Sequence, residues 1–307
     1  MKSCLVIALF TVLSAVAAGG SHATQAAPVT TGSGLHLKSP TGIAVDKRGN
    51  VYVADWGNNR VVELSPKGKL VASFGGSLGL NHPMAVAVAS NGTVYIADTG
   101  NHRVIGLTRA GRRAQLLPHT YSDPDPTGLS VASNGSVYVA DPTESGIGIW
   151  NPNDTSMIGY RGGWSDEYYP SDVLTYGKVQ ASSSPLPGEG GPTVVELDSR
   201  LGLLVISPPN DDPVTWNTYT KHPTGLARDS KGIYYVADGA TSVVRLVIHA
   251  AADSISHTAW KHAGIAGSFA HPWGVAVDSH DNVYVTDSGH NRVVKLSRKG
   301  KLLAVWR

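Results

Sequence analysis

Residues 40–75, PTGIAVDKRGNVYVADWGNNRVVELSPKGKLVASFG, set the terms for the whole chain because their pattern keeps returning. It recurs at 83–107, 126–141, 223–246 and 272–296, each time as a proline opening and a Val-Tyr-Val-Ala-Asp-like run, with a third apolar run in all but 126–141. The stretch reads as four short strands separated by the turns KRGN, WGNN and PKGK. A strand-built repeat of this length cannot bury its faces alone, and stacking copies around an axis is how such units form β-propellers. Equivalent prolines at Pro40, Pro83, Pro126, Pro170, Pro223 and Pro272 give six units. The expected fold is all-β: a six-bladed β-propeller of four-stranded antiparallel blades over residues 40–307.

Each unit has its own internal logic. Strand a (TGIAVD in the first unit) carries small residues such as Gly42 and Ala44, which suits the crowded axis. Strand b (NVYVAD) is nearly all apolar, as a strand buried on both faces must be. The Asn/Gly-rich a–b turns accept the positive φ that tight hairpins need. The prolines precede strand a, where no ladder donor is lost. The fourth unit is irregular: PSDVLTYGKVQASSS reads as strands a and b, with TVVELDS and GLLVIS as c and d. Before it, GYRGGWSDEYYP stands in place of a regular d strand. KLLAVWR reads as the outer strand of the last blade, in phase with KLVASFG. QAAPVTT is the other segment able to close the ring.

The first residues carry a different signal. Lys2, the apolar run CLVIALFTVLSAVAA and the small-residue site Ala15-Val16-Ala17 read as a secretory signal peptide over residues 1–23. Residues 24–39 read as a flexible lead-in. No second apolar span follows, so the expectation is an exported protein without a membrane span, and a monomer. Cys4, the only cysteine, lies inside the signal, so the propeller has no disulfides to rely on. A net charge of +2 gives no footing for nucleic-acid binding.

VYVADWGNNRVV and VYVTDSGHNRVVKL, with their Pro-x-Gly-x-Ala-x-Asp opening and the Asn-Arg before the third strand, resemble the NHL-repeat family. The rhythm is similar to that of the extracellular sensor propeller of bacterial receptor kinases. The resemblance implies a six-bladed propeller without implying one activity. The family includes protein- and RNA-binding modules and a zinc-dependent lyase acting on peptidyl-hydroxyglycine.

Propeller loops fall on two faces. The d–a connectors and b–c loops share the top face, and there His82, His222 and His271 each precede a repeat proline. The b–c loops add Trp56, Asn59, His102 and His290, and Trp273 opens the last strand a. Trp and His combine apolar faces with polar tips, which suits a peptide or glycan; the competing reading is that these are turn residues of the repeat. Three equivalent histidines also have the composition of a His₃ zinc set. By the family resemblance, however, lyase-type ligands follow the repeat proline, where this chain has Thr41, Met84, Thr127, Ser171, Thr224 and Trp273. No metal site and no cofactor is assigned, and a divalent ion is kept open.

Asp55, Asp98, Asp141, Asp238 and Asp287 end the b strands, and Arg60, Arg103 and Arg292 begin c strands. A catalytic acid is needed once, not five times, so these read as structural ion pairs or turn-capping aspartates. The bottom face carries a basic arc: Lys67 and Lys69 on blade 1, Arg112 and Arg113 on blade 2, and Arg298, Lys299 and Lys301 on blade 6. It suits a sulfated glycan or an acidic partner, or simply a solvated rim. Asn91, Asn134 and Asn153 begin N-glycosylation sequons.

The expected function is a secreted scaffold that binds a protein, peptide or glycan on its top face. The alternative is a metal-dependent lyase or lactone/ester hydrolase at the channel mouth.

Overall fold

The computed structural model describes residues 29–30, 34–117, 124–151, 156–162, 169–176, 192–209, 212–240, 242–249, 254–261 and 268–307. The signal segment, half of the lead-in and Asn153 lie outside the described residues.

Six four-stranded antiparallel sheets follow one another along the chain. In order of strands a to d, blade 1 is Pro40–Val45, Val51–Asp55, Arg60–Leu64 and Leu70–Phe74. Blade 2 is Ala85–Val88, Val94–Asp98, Arg103–Leu107 and Arg113–Leu117. Blade 3 is Gly128–Val131, Val137–Asp141, Gly146–Trp150 and Met157–Gly162. Blade 4 is Pro170–Tyr176, Thr193–Asp198, Leu203–Ser207 and Val214–Asn217. Blade 5 is Pro223–Arg228, Tyr234–Asp238, Ser242–His249 and Ser254–Trp260. Blade 6 is Pro272–Val277, Val283–Asp287, Arg292–Leu296 and Leu302–Trp306. The structure is thus the six-bladed all-β propeller the repeat calls for, and no described helix is long and apolar enough to cross a membrane.

Two strand assignments differ from the sequence reading. In blade 4, TVVELD is strand b and LLVIS is strand c, while Val214–Asn217 supplies strand d. The long Pro/Gly-rich insertion therefore replaces the a–b turn instead of separating two hairpins. In blade 3 a d strand is present, Met157–Gly162, paired with strand c through a register shift at Ile149 and Trp150. Its glycines hid it from a search for apolar alternation.

The C-terminal segment completes the last blade as expected. The lead-in also contributes: Val29–Thr30 adds a fifth strand, parallel to Leu302–Trp306, with Val29 opposite Ala304.

The five-residue b strands of blades 1, 2, 3, 5 and 6 are buried along their whole length. Their side chains pack between blades: Tyr52 and Val61 of blade 1 join Val86, Val94, Ile96 and Ile105 of blade 2. Each such aliphatic side chain, fully buried, contributes roughly 1.5–3 kcal/mol relative to exposure. At the axis the a strands come so close beside Gly42 that only glycine fits there. A Cβ on Gly42 would lie 2.6 Å from Ala85 Cα, and Gly42 N donates to Met84 O at 2.8 Å.

Candidate functional site

Each blade boundary carries one hydroxyl that donates to the carbonyl of the next repeat proline. Four come from the residue after the proline: Thr41 to Pro83 O (3.1 Å), Thr127 to Pro170 O (3.5 Å), Ser171 to Pro223 O (3.3 Å) and Thr224 to Pro272 O (3.2 Å). The other two come from the first residue of the b–c loop: Thr99 to Pro126 O (2.6 Å) and Ser288 to Pro40 O. One of the two positions in a blade is therefore always relieved of this duty. On blades 6, 1 and 2, which are adjacent, the relieved positions hold Trp273, Trp56 and Met84.

These three side chains build the floor of the top face. A cavity of about 440 Å³ is lined by Trp56, Met84, Trp273, His271, Ser39, Thr41, Gly239, Ser288 and Gly289. A second, of about 410 Å³, shares Trp56 and Met84 and adds His82, His102, Asp125, Tyr169, Thr99, Gly100, Thr127, Pro142 and Thr143. Trp56 stands between them, 37% exposed, with its ring centroid 4.3 Å from that of His82. A large aromatic left this open on a polar rim is a common mark of a binding surface.

Of the residues singled out from sequence, Trp56, His82, His102, His271 and Trp273 line these cavities. The other three sit apart from them. Asn59 adopts the left-handed backbone and its Oδ1 accepts from His82 N at 2.8 Å, tying blade 1 to the next connector. His290 Nδ1 lies 3.0 Å from Asp287 Oδ2. His222 is exposed, and its backbone N donates to Asp238 Oδ1 at 3.2 Å. Two lining histidines also hold the ring: His271 Nδ1 contacts Gly239 O at 2.9 Å, and His102 Nδ1 lies 3.1 Å from Asp125 Oδ1. Among the described residues, no three His, Cys, Asp or Glu side chains gather as a metal cluster. Met84, Asp125 and Tyr169 were not singled out from sequence; Met84 was legible as an apolar residue where most blades have a hydroxyl.

The aspartates that end the b strands are structural. Asp55 Oδ2 accepts from Arg60 Nε at 2.7 Å and Asn58 Nδ2 at 2.8 Å, and Oδ1 accepts from Lys38 N at 2.7 Å. Asp98 and Asp287 repeat the arrangement with Arg103 (2.6 Å) and Arg292 (2.7 Å). Each carboxylate thus clamps its own b–c loop and the connector that precedes its blade.

On the bottom face Lys67, Lys69, Arg112, Arg113, Lys299 and Lys301 are exposed. Arg298 is spent: its Nε lies 2.7 Å from Asp229 Oδ2. Burial works against the Asp229 carboxylate, but hydrogen bonds from Ile233 N, Arg298 and Lys231 N outweigh it and hold the group below the usual carboxylate range. Asn91 and Asn134 both lie in a–b turns, where their Oδ1 atoms accept from Thr93 N and Ser136 N.

An axial channel of about 260 Å³ runs below the top face, lined by strand a residues and, in blades 2 and 3, by the residue just before that strand. Two of its lining residues are ionisable, Asp172 and Arg228. Burial raises the Asp172 carboxyl to about 7, against hydrogen bonds from Leu226 N and Val173 N that favour the charged form.

The NHL repeat profile matches residues 37–64, 80–107 and 269–296, which lie in blades 1, 2 and 6, the three that carry Trp56, Met84 and Trp273. No curated protein matches the sequence. Among solved structures, a streptogramin B lyase superposes with a TM-score of 0.63 at 15% identity, over 88% of this chain and 83% of that one. A catalytically inactive virginiamycin B lyase from Staphylococcus aureus with quinupristin gives 0.62 at 15%, over 89% and 85%. Kuenenia stuttgartiensis hydrazine synthase gives 0.61 at 14%, over 90% and 80%. Identities this low speak for a shared fold, and proteins of unlike activity share it. The chain thus carries three NHL repeats within a six-bladed β-propeller.

Proposed function

We propose that this propeller is an exported binding scaffold that grips a protein or peptide segment on its top face, through the floor formed by Trp273, Trp56 and Met84. One observation carries the reading. The three large apolar side chains occupy, on adjacent blades, the positions the ring does not need for its inter-blade hydroxyl bonds. The inter-blade hydroxyl bonds do not call for a tryptophan at positions 56 or 273. The His82 ring against Trp56 and the carboxylate of Asp125 beside His102 add polar partners at the rim. A ligand with an apolar side chain flanked by hydrogen-bonding backbone fits such a surface.

The test is capture from a displayed peptide library, followed by affinity measurement on the selected peptide. Trp56→Ala and Trp273→Ala should each weaken binding by about 2 kcal/mol or more, as central aromatic anchors do. Their circular dichroism should match that of the unmodified protein. Loss of fold in these variants, or peptides that bind them equally well, would refute the site. A glycan ligand held by the basic arc would instead show affinity falling steeply with salt.

The alternative is a lyase or lactone/ester hydrolase at the channel mouth. It is supported by the fold shared with the streptogramin lyases, and it requires a bound divalent ion. Elemental analysis of the purified protein before and after chelation separates the two.

A further inference from the structure

The six a strands can be compared level by level. Five residues after the repeat proline the chain has Val45, Val88, Val131 and Val277, but Thr175 in blade 4 and Arg228 in blade 5. All six positions line the axial channel, at the end away from the aromatic floor. Valine fills this level in four of the six blades, so a guanidinium here departs from the ring's own packing.

Arg228 is held but not neutralised. Its guanidinium carbon lies 4.1 Å from the ring centroid of Tyr176 and 5.7 Å from that of Tyr234. On another side it packs over Gly232, where a Cβ would fall 2.9 Å from its Nη2. Its Nε is buried and has no hydrogen-bond partner among the described residues, while a side-chain hydrogen bond joins the guanidinium to Tyr234. Among the described residues no carboxylate pairs with it. Asp172 turns its oxygens to Leu226 N and Val173 N, and Asp229, next in sequence, pairs with Arg298. Beside it the hydroxyls of Tyr176 and Tyr234 are 2.9 Å apart. One proton sits between these two oxygens, which leaves the other hydroxyl proton for a further acceptor.

We propose that the lower end of the channel is an oxyanion site centred on Arg228, and that it takes a small aliphatic carboxylate. The planar fork presents its donors in the geometry that a carboxylate accepts. The Tyr176–Tyr234 pair supplies one more donor, and the valine level of the channel receives the short apolar chain. The ring is already rigid, so little ordering is needed on binding.

The experiment titrates the full protein with butyrate at constant ionic strength, with chloride as balancing salt, by calorimetry or by NMR. Inorganic phosphate and butanol serve as comparators. Saturable butyrate binding is expected, stronger than either comparator. Arg228→Val, which restores the majority residue of the ring, should keep the fold and weaken binding at least about tenfold, as loss of a charge-assisted pair does. Arg228→Gln, which keeps length and donors without charge, provides the same readout should the valine variant fold poorly. Trp56→Ala should leave butyrate binding unchanged, so this site and the top-face site fail separately. Absence of saturable butyrate binding, or equal binding by the Arg228 variants, would overturn the proposal. Phosphate binding more tightly than butyrate would overturn the choice of ligand.

Discussion

The indole of Trp306 occupies the space that a side chain on Gly68 would take: a Cβ there would lie 2.3 Å from its Nε1. Trp306 ends strand d of blade 6 and Gly68 sits in the c–d turn of blade 1, so this contact joins the two ends of the ring. The same relation links Phe74 to Gly111 and Trp260 to Gly300, each aromatic seated on the turn of the following blade. Trp306 is 1% exposed and packs with Val51, Val53, Val62 and Leu64 of blade 1.

Trp306→Ala should therefore cost about 3–5 kcal/mol, in the range for large buried aromatics. Trp306→Phe should cost less, because it keeps the ring and removes a buried N–H that has no partner. Gly68→Ala should also destabilise, since φ is +79° and the new methyl meets the indole. Urea unfolding followed by tryptophan fluorescence measures all three; a Gly68→Ala protein as stable as the parent would contradict the packing.

The repeated Asp–Arg pairs are chemically alike but differ in burial. The Arg292 side chain is 3% exposed and that of Arg60 24%, while both partner carboxylates are fully buried. Removing Arg292 strands a buried charge, which typically costs about 3–5 kcal/mol. Arg60→Ala should cost less, because water can reach the freed Asp55. Equal losses in denaturant midpoints would show that solvent access does not set the difference.

Asp172 gives the ring a pH dependence. Its carboxyl is raised to about 7 in the folded protein from an ordinary value of 3.8, because burial disfavours the charge. The folded state then holds a proton that the unfolded chain releases. The stability this confers is complete below pH ~4, falls as pH rises through the window up to about 7, and is gone above it. Melting temperature should drop between pH 5 and pH 8, and Asp172→Asn should flatten that slope. A parent and variant with parallel pH profiles would contradict the assignment.

The hydroxyl bonds between blades should be transferable. Ser288→Ala removes the bond to Pro40 O, and leaving that buried carbonyl without its donor should cost about 1–3 kcal/mol. Adding Trp273→Thr to the same protein puts a hydroxyl at the position used by Thr41 and Thr224, and should recover part of the loss. A double variant less stable than the sum of the two single changes would show that the positions are not equivalent.

How much of this was readable beforehand follows from where the repeat is regular. The proline spacing, the alternation in VYVAD and the Asn/Gly turns each report a local backbone requirement, and together they identify six blades. Where one unit departs, the same signals mislead: the insertion after Tyr176 shifted strands b and c of blade 4 by one place. The glycines of Met157–Gly162 concealed a strand. On the top face, residue type pointed to Trp56 and Trp273. It did not separate them from Asn59 and His290, because a residue that holds a loop and one that faces a ligand look alike in sequence. Met84, Asp172 and Arg228 announced themselves only as exceptions to their level in the ring.

The alternation of the hydroxyl bond between two positions has a consequence for rewriting the molecule. Since either position can latch a blade to its neighbour, each blade has one position that does not carry the latch, at Trp56, Met84, Pro142, Ser199, Gly239 and Trp273. Those positions form a keyboard around the axis. New recognition chemistry can be installed at Trp56, Met84 and Trp273 one key at a time, while the hydroxyl latches stay as they are.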